Sequence, residues 1–310
     1  MSKKTIYVSI ACLGYDSELI NTVSTCINSS SKKNNINISI ACIGDAEFYK
    51  NIKNEFINFN NIKINFYDIK NNYGVGKGRN LAAKLYDGED YFLQIDSHTL
   101  FLDNWDDDLI TIFNKAKEIN NSKIILTAVP PKYTYMNIDY KKLLAIAHEE
   151  FQYIYCEKDK KRLDVIPVFN DHTFKELFPE KELEMLNNKI GHSIKVCAAF
   201  IFGDKDFAVN RCLEDTVLFW EEEIFQSIEL LNNGFSFIYP YIQSPIYHYF
   251  LDANSDPNSR SKIINFIDML DMTMDDFFTN MKNNYISYMN NPANYKKIKA
   301  FEEYSEVKLI

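Results

Sequence analysis

The first third of the chain alternates between short apolar segments rich in β-forming residues and amphipathic segments with helical spacing. The apolar segments are IYVSIAC (Ile6–Cys12), INISIACIG (Ile36–Gly44), IKINFYDI (Ile62–Ile69) and YFLQI (Tyr91–Ile95). Between the first two, a helix is predicted from Asp16 to Ile27, with Asp16 or Ser17 as its cap. Because parallel strands need a crossover, usually a helix, this order favours a Rossmann-like, wound, mainly parallel α/β sheet flanked by helices.

The remaining two thirds are predicted from the same kinds of pattern. A helix is expected from Trp105 to about Ile119, followed by a strand in KIILTAV from Lys123. Residues 130–188 have prolines and charge clusters without a regular period, so loops and short helices covering the site are expected there. Further expected elements are a strand at 195–202, a helix at 221–232, short strands at 235–240 and 244–250, and amphipathic helix from 259, with Ile263, Ile264, Ile267, Met269, Leu270, Phe277 and Phe278. We therefore predict one α/β domain over residues 1–255 and a helical carboxyl-terminal extension over 256–310.

Composition and charge exclude several classes of protein. The 310 residues are 46% hydrophobic and 25% charged, as in an ordinary soluble globular protein. The net charge of −9 disfavours nucleic acid as a partner, because a duplex-binding surface needs a basic excess. No apolar run approaches the ~18 residues that span a bilayer. Since the first predicted strand already begins at Ile6, no signal peptide is visible, and a cytoplasmic protein without a membrane span is expected.

The segment YFLQIDSH ends a predicted buried strand in polar residues. Asp96 and His98 are alternate residues of an extended segment, so their side chains point the same way and can reach one ion. A carboxylate oxygen with an imidazole suits Mn²⁺ best, with Mg²⁺ as a second candidate and Zn²⁺ less suited. The alternative is structural, with Asp96 capping a following helix and His98 on the surface. The buried strand before the pair favours a metal site, because open α/β sheets bind ligands at their carboxyl edge.

A glycine-rich segment, NNYGVGKGRN, precedes the helix that leads into this strand. Gly74, Gly76 and Gly78 allow a close approach of the backbone, and Lys77 and Arg79 bring positive charge to a predicted helix start. This combination suits a phosphate or a nucleotide. It matches neither the Walker pattern nor the dinucleotide G-x-G-x-x-G, and a simple turn is the alternative.

Two clusters lie further along the chain. The motif WEEE at 220–223 enters a predicted helix, and consecutive acids at such a position are usually a solvated, dipole-matched helix start. His248 lies between tyrosines on an apolar strand in YHYF, where a buried core histidine is a more common finding than a metal ligand. Taken alone, neither cluster identifies a site.

Together these segments resemble the GT-A-fold glycosyltransferases, and most closely the "Glycosyltransferase (GlcNAc)" family. That family includes cytoplasmic enzymes that attach α-linked N-acetylglucosamine to hydroxyproline in a polypeptide. The resemblance extends over roughly residues 4 to 250. The matching pieces, in the family's order, are IYVSIAC, YGVGKGRNLAAKLYDGEDYFLQIDSHTLF, the WD at Trp105–Asp106, AAFIF from Ala198, EEIFQSIELLNNGFSFIYP from Glu222 to Pro240, and YHYF.

The resemblance implies roles for individual residues. Asp96 and His98 match the DxH variant of the motif that holds Mn²⁺ on the diphosphate of a UDP-sugar, and His248 matches the third metal ligand. Glu222 and Glu223 match an acidic pair expected near the sugar or the acceptor hydroxyl, as catalytic candidates. The nucleotide is expected to lie near the end of the first strand and the glycine-rich segment; the candidate residues are Ser9, Ile10, Gly76, Lys77, Arg79, Gln94 and Asp96.

The implied activity is metal-dependent transfer of N-acetylglucosamine or another hexose from a UDP-sugar to a hydroxyl of a protein, a glycan or a small molecule, with retention of anomeric configuration. Two positions depart from the family pattern: Glu221 replaces a glycine before the acidic pair, and Glu229 replaces an arginine. The changed charge affects the expected sugar and acceptor, not the nucleotide site. Two alternatives stay open at this point, a sugar nucleotidyltransferase on a related sheet and a non-catalytic nucleotide-binding scaffold.

Overall fold

The computed structural model describes residues 3–13, 16–44, 46–68, 74–120, 123–138, 141–146, 149–172, 176, 190–211, 213–249, 267, 270 and 272–309. The strands are β1 (Thr5–Leu13), β2 (Asn35–Gly44), β3 (Ile62–Asp68), β4 (Tyr91–Asp96), β5 (Thr99–Phe101), β6 (Lys123–Thr127), β7 (Lys132–Ile138), β8 (Lys141–Ile146), β9 (Tyr153–Arg162), β10 (Ile166–His172), β11 (Ile190–His192), β12 (Phe200–Asp204), β13 (Phe235–Pro240) and β14 (Ile246–Tyr249). The helices are α1 (Leu19–Asn28), α2 (Ala46–Glu55), α3 (Val75–Ala83), α4 (Trp105–Asn120), α5 (Lys205–Asn210), α6 (Glu222–Asn232), α7 (Met274–Asn290) and α8 (Tyr295–Ser305).

A central sheet of eight strands has the order β11-β13-β6-β12-β4-β1-β2-β3. Parallel pairing joins β3 to β2, β2 to β1, β1 to β4, and β6 to β13. β12 runs antiparallel between β4 and β6, and β11 is antiparallel to β13 at one edge. The predicted wound, mainly parallel sheet flanked by helices is therefore confirmed.

Alternate residues of each strand point to opposite sides of the sheet, so both faces carry apolar side chains. Helices cover both faces. On one face, Val8 of β1 belongs to a core with Val23 of α1 and Trp105 of α4. On the other face, Tyr7 of the same strand belongs to a core built by α3, α5, α6, α7 and α8, with Phe277 as a fully buried member. The last two helices thus complete a layer that the central sheet needs for its own burial.

Side chains of α6 hold the carboxyl-terminal helices in place. The ring of Phe225 stacks on that of Tyr288, with centroids 4.0 Å apart. Glu229 Oε1 accepts hydrogen bonds from the Tyr288 hydroxyl and the Lys297 ammonium group, each at 2.8 Å. Glu229, one of the two departures from the family pattern, therefore has a structural role. The predicted boundary at residues 255 and 256 lies outside the described residues, as do Ile263, Ile264 and Met269, so the division into two regions stays a prediction.

A second, smaller sheet lies beside the central one, with the order β5-β14-β7-β8. β14 pairs antiparallel with β5 and parallel with β7. A separate antiparallel hairpin joins β9 and β10. The expectation of loops and short helices over residues 130–188 is wrong for its described part, because four strands, β7 to β10, lie there.

Other boundaries also differ from expectation. The helix after the glycine-rich segment, predicted from about Arg79 to Leu85, is α3 and begins four residues earlier, at Val75, and α2 was not predicted. The strand predicted at 195–202 is β12, which begins at Phe200. Within the described part of the chain, no helix is long and apolar enough to cross a membrane.

Candidate active site

Strand pairing gathers the predicted metal ligands at the carboxyl edge of the central sheet. Asp96 is the last residue of β4, and the chain turns through Ser97 and His98 into β5. Antiparallel pairing of β5 with β14 places His248 opposite Thr99. Among the described residues, the potential ligand atoms of Asp96, His98 and His248 all lie within 4.8 Å of one another. The fold therefore brings together three residues that the sequence separates widely.

The spacing of this cluster fits a divalent cation. Asp96 Oδ2 lies 2.9 Å from His248 Nε2 and 3.8 Å from His98 Nε2. Ligands that bind one cation at about 2.1 Å are roughly 3 to 4 Å from each other, and a carboxylate with two imidazoles suits Mn²⁺. The structural alternative is wrong, because a strand rather than a helix follows Asp96 and only 13% of the His98 side chain is exposed.

Arg79 links the metal cluster to the acidic pair. Its side chain is buried, and Nη1 donates to the carbonyl oxygen of Ile95 at 2.7 Å. Nε donates to Glu222 Oε1 at 3.1 Å, and Nη2 forms an ion pair with Asp96 Oδ1. Burial lowers the pKa of Arg79, but the two carboxylates outweigh this effect and the group stays protonated. Arg79 lies in the second turn of α3, so its predicted position at a helix start is wrong.

The Arg79 ion pair also fixes the charge of Asp96. Burial raises the pKa of Asp96, but the guanidinium of Arg79 and the hydrogen bond from His248 outweigh it and hold this pKa well below its ordinary value. An ionised carboxylate therefore stands at the end of β4 over the whole neutral range. Such a group can attract a cation without first losing a proton.

Two of the three consecutive acids at the start of α6 are buried, so the solvated interpretation of this motif is wrong. The Glu221 carboxylate accepts hydrogen bonds from the backbone N–H groups of Leu218 at 2.9 Å and Phe219 at 3.2 Å. It organises the turn before α6, which accounts for a glutamate where the family has glycine. Glu222 is buried against Arg79, and burial raises its pKa to about 7 despite the opposing charge of that arginine.

The third acid, Glu223, has a more open position. Its Oε1 accepts a hydrogen bond from the backbone N–H of Ala198 at 2.8 Å, and its Oε2 forms an ion pair with buried Lys195. The carbonyl oxygen of Ala198 in turn accepts from Gln94 Nε2 at 3.1 Å, which ties Glu223 to β4. With 31% of its side chain exposed, Glu223 is fixed on one side and can meet a substrate on the other.

The elevated pKa of Glu222 predicts a specific pH dependence of stability. Because this pKa rises from 4.5 to about 7 on folding, the folded protein retains a proton that the unfolded chain loses in that window. The stabilisation is full below pH 4.5 and is lost as the pH rises through 7. We expect the difference in unfolding free energy between wild type and Glu222→Gln to change across this window and to be flat below it. Urea unfolding at a series of pH values measures this difference in unfolding free energy. A difference that stays constant from pH 4 to 8 would contradict the prediction.

The glycine-rich segment packs against the chain itself. A Cβ atom on Gly76 would lie 2.3 Å from the carbonyl oxygen of Glu214, so only glycine fits there. Lys77 forms an ion pair with Asp215 on the same neighbouring loop. These contacts explain the close backbone approach without a phosphate. The predicted nucleotide contacts of Gly76 and Lys77 stay predictions.

The predicted uridine neighbours lie within the sheet. β1 continues to Leu13, three residues past Ile10, so the expected position of Ser9 and Ile10 at the strand end is wrong. Ser9 pairs with Gln94 in the β1–β4 register. Ser9, Ile10 and Gln94 are each at most 1% exposed. Ser9 Oγ and Gln94 Oε1 have no hydrogen-bond partner among the described residues. Their contact with a nucleotide stays a prediction.

Two functional candidates were absent from the sequence predictions. Lys195 fixes Glu223, and no local pattern around Lys195 signals this role. Asp16, expected only as a helix cap, lies 2.7 Å from His98 Nδ1 through its Oδ2. Asp16 Oδ1 does accept from the backbone N–H of Glu18 at 3.0 Å at the entrance to α1. Its position three residues after the end of β1, at the same sheet edge as Asp96, is the signal that could have identified it.

Comparisons with known proteins agree with this fold. The structure is similar to the crystal structure of GalNAc-T7 with UDP, GalNAc and Mn²⁺, with a TM-score of 0.59 and 14% sequence identity. The match covers 99% of this chain and 55% of that chain, so this chain spans little more than half the length of its structural relative. No curated protein sequence matches the chain significantly.

The fold is therefore that of the GT-A glycosyltransferases, with the polar cluster at the edge where such a sheet binds its ligands. The "Glycosyltransferase (GlcNAc)" family model matches residues 33–259. The chain belongs to this family of glycosyltransferase enzymes, as its motifs predicted.

Proposed function

We propose that the protein transfers a hexose from a UDP-sugar to an acceptor hydroxyl in a metal-dependent reaction that retains anomeric configuration. The observation that carries this proposal is the cluster of Asp96, His98 and His248, whose ligand atoms lie within 4.8 Å at the carboxyl edge of the sheet. The similar structure that contains UDP, GalNAc and Mn²⁺ supports the choice of donor and metal. N-acetylglucosamine is the first candidate sugar, because the family bears its name.

In the proposed reaction, Asp96, His98 and His248 hold a divalent cation, Mn²⁺ in preference to Mg²⁺. When bound there, the cation supplies Lewis-acid stabilisation of the departing diphosphate. Arg79 keeps the Asp96 carboxylate ionised and fixes it through Oδ1, which leaves Oδ2 directed toward the two histidines. A cation held by the cluster would also reduce the repulsion between the anionic donor and a chain with a net charge of −9.

The two catalytic candidates, Glu222 and Glu223, have different roles in the proposed reaction. Glu222 is 4% exposed and bound to Arg79, so it positions that arginine and has little surface to offer a substrate. Glu223 is fixed by Lys195 and by the Ala198 N–H group while part of its carboxylate stays accessible. Glu223 therefore positions the acceptor hydroxyl or stabilises positive charge that develops on the sugar ring. The acceptor is a hydroxyl of a protein, a glycan or a small molecule.

A panel of UDP-sugars tests this proposal without knowledge of the acceptor. We expect slow hydrolysis of one or two members, including UDP-N-acetylglucosamine, that depends on added Mn²⁺ and stops with a chelator. Proton NMR of the released sugar at early times should show the α-anomer first. UDP binding without hydrolysis of any donor would overturn the proposal in favour of a non-catalytic nucleotide-binding scaffold. Release of pyrophosphate from UTP and a sugar phosphate would instead identify a nucleotidyltransferase.

A further inference from the structure

Asp16 lies immediately behind His98, on the side away from the other two candidate ligands. Its Oδ2 atom is 2.7 Å from His98 Nδ1, and it also accepts a hydrogen bond from the Ser97 hydroxyl at 2.6 Å. The Asp16 residue is 9% exposed and the His98 side chain 13% exposed, so water competes little for this contact. The carboxylate is therefore a built-in partner of the imidazole.

This contact determines which nitrogen of His98 carries the proton. An ionised carboxylate can only accept hydrogen bonds, so Nδ1 must be the donor. In a neutral imidazole, Nε2 then carries a lone pair. That lone pair faces Asp96 Oδ2 across 3.8 Å, a separation too long for a hydrogen bond between them and suited to a shared cation.

Helix α1 holds this arrangement in place from its first turns. Asp16 Oδ1 accepts from the backbone N–H of Glu18, which fixes the second oxygen of the carboxylate. The Thr22 hydroxyl donates to the carbonyl oxygen of Ser97 at 2.9 Å and accepts from the backbone N–H of Thr99 at 2.9 Å. The turn that carries His98 is thus fixed on both sides, and rotation of its ring would break the Asp16 contact.

We propose that Asp16 is a positioning residue that holds His98 as the Nδ1–H tautomer and so directs Nε2 into the metal cluster. This inference rests on the proposed metal-dependent function. Partners of this kind behind a metal-binding histidine typically contribute roughly 10- to 100-fold to metal affinity. An asparagine at position 16 removes the negative charge, and its amide can donate to Nδ1, which favours the opposite tautomer.

Binding of Mn²⁺ alone, measured by electron paramagnetic resonance, separates this role from catalysis. We expect Asp16→Asn to weaken Mn²⁺ binding by roughly 10- to 100-fold relative to wild type. Ser97→Ala removes the other hydrogen bond to the same oxygen and is expected to change affinity less than about threefold. Asp90→Asn is a matched control at the opposite end of β4, where Asp90 accepts from the Thr5 N–H at 2.9 Å.

A second measurement determines the His98 tautomer in the wild-type protein and uses a variant only to assign the signal. Two-bond proton–nitrogen correlation spectra distinguish the tautomers of the five histidines, and comparison with His98→Gln assigns the signal. Nδ1–H in the wild type supports the proposal, and Nε2–H overturns it. Equal Mn²⁺ affinity of wild type and Asp16→Asn, or equal weakening by Asp16→Asn and Ser97→Ala, would also overturn it. A wild type that binds no Mn²⁺ would overturn the proposed metal dependence as well.

Discussion

Asp96→Asn is expected to reduce Mn²⁺-stimulated hydrolysis of the UDP-sugar by at least roughly 100-fold, because a catalytic metal contributes several kcal/mol to such a reaction. Asp96 is the one anionic member of the cluster, and its Oδ2 faces both histidines. Asparagine has nearly the same shape but no charge, so cation binding is lost while packing changes little. Arg79 keeps its contacts with Glu222 and with the Ile95 carbonyl in this variant.

Two measurements and a control variant separate loss of the metal from loss of the fold. Thermal unfolding should show that Asp96→Asn remains folded, and equilibrium dialysis should show that Mn²⁺ binding is lost. Asp107→Asn is the matched control, since Asp107 forms an ion pair with Lys33 on the surface. It is expected to retain wild-type activity. Wild-type hydrolysis by folded Asp96→Asn would remove the metal from the proposed mechanism.

The strands of the central sheet could be predicted because their own residues determine them. β1 and β2 are buried on both faces and consist mainly of isoleucine, valine and small residues, which suits a central parallel strand. The alternate spacing of Asp96 and His98 is likewise a local pattern. His248 could be placed only through the family resemblance, because its position depends on the pairing of β14 with β5.

The strands of the middle region could not be predicted, because their own residues do not determine them. β9 contains EKDKKR, a charged and exposed sequence with low intrinsic preference for strands. β10 pairs with it on either side of a register shift, from His172 with Tyr153 to Phe169 with Cys156, and again with Lys161 and Arg162. Such pairing is invisible when each segment is considered alone.

The same limitation applies to the groups behind the site. Asp16 and His98 are 82 residues apart, and Lys195 and Glu223 are 28 residues apart. Asp16 and His98 follow the neighbouring strands β1 and β4 at one edge of the sheet. Lys195 precedes β12, whose first residue pairs with Ile95 near the end of β4, so it reaches Glu223 at the same edge. The sequence thus predicted the residues that would touch a ligand more readily than the partners that hold them.

Arg79→Met is expected to destabilise the protein by about 3 to 5 kcal/mol, because it leaves the buried Glu222 carboxylate without its partner. Methionine fills much of the same volume, so the loss reflects charge more than packing. The penalty should be larger at pH 8, where Glu222 is ionised in the wild type, than at pH 5.5, below its pKa of about 7. Urea unfolding, followed by the fluorescence of the two tryptophans, measures it at both pH values.

A double-mutant cycle isolates the charge interaction. Since Glu222→Gln removes the uncompensated charge, Arg79→Met combined with Glu222→Gln should be more stable than Arg79→Met alone at pH 8. Arg162→Met is the matched control, because the Arg162 guanidinium stacks on Trp220 at 4.8 Å from the ring centroid. Its cost is expected to stay near 1 kcal/mol and to be independent of pH. Additive effects of Arg79→Met and Glu222→Gln would mean that the two side chains stabilise the fold independently. Glu222 would then have no part in holding Arg79 against Asp96.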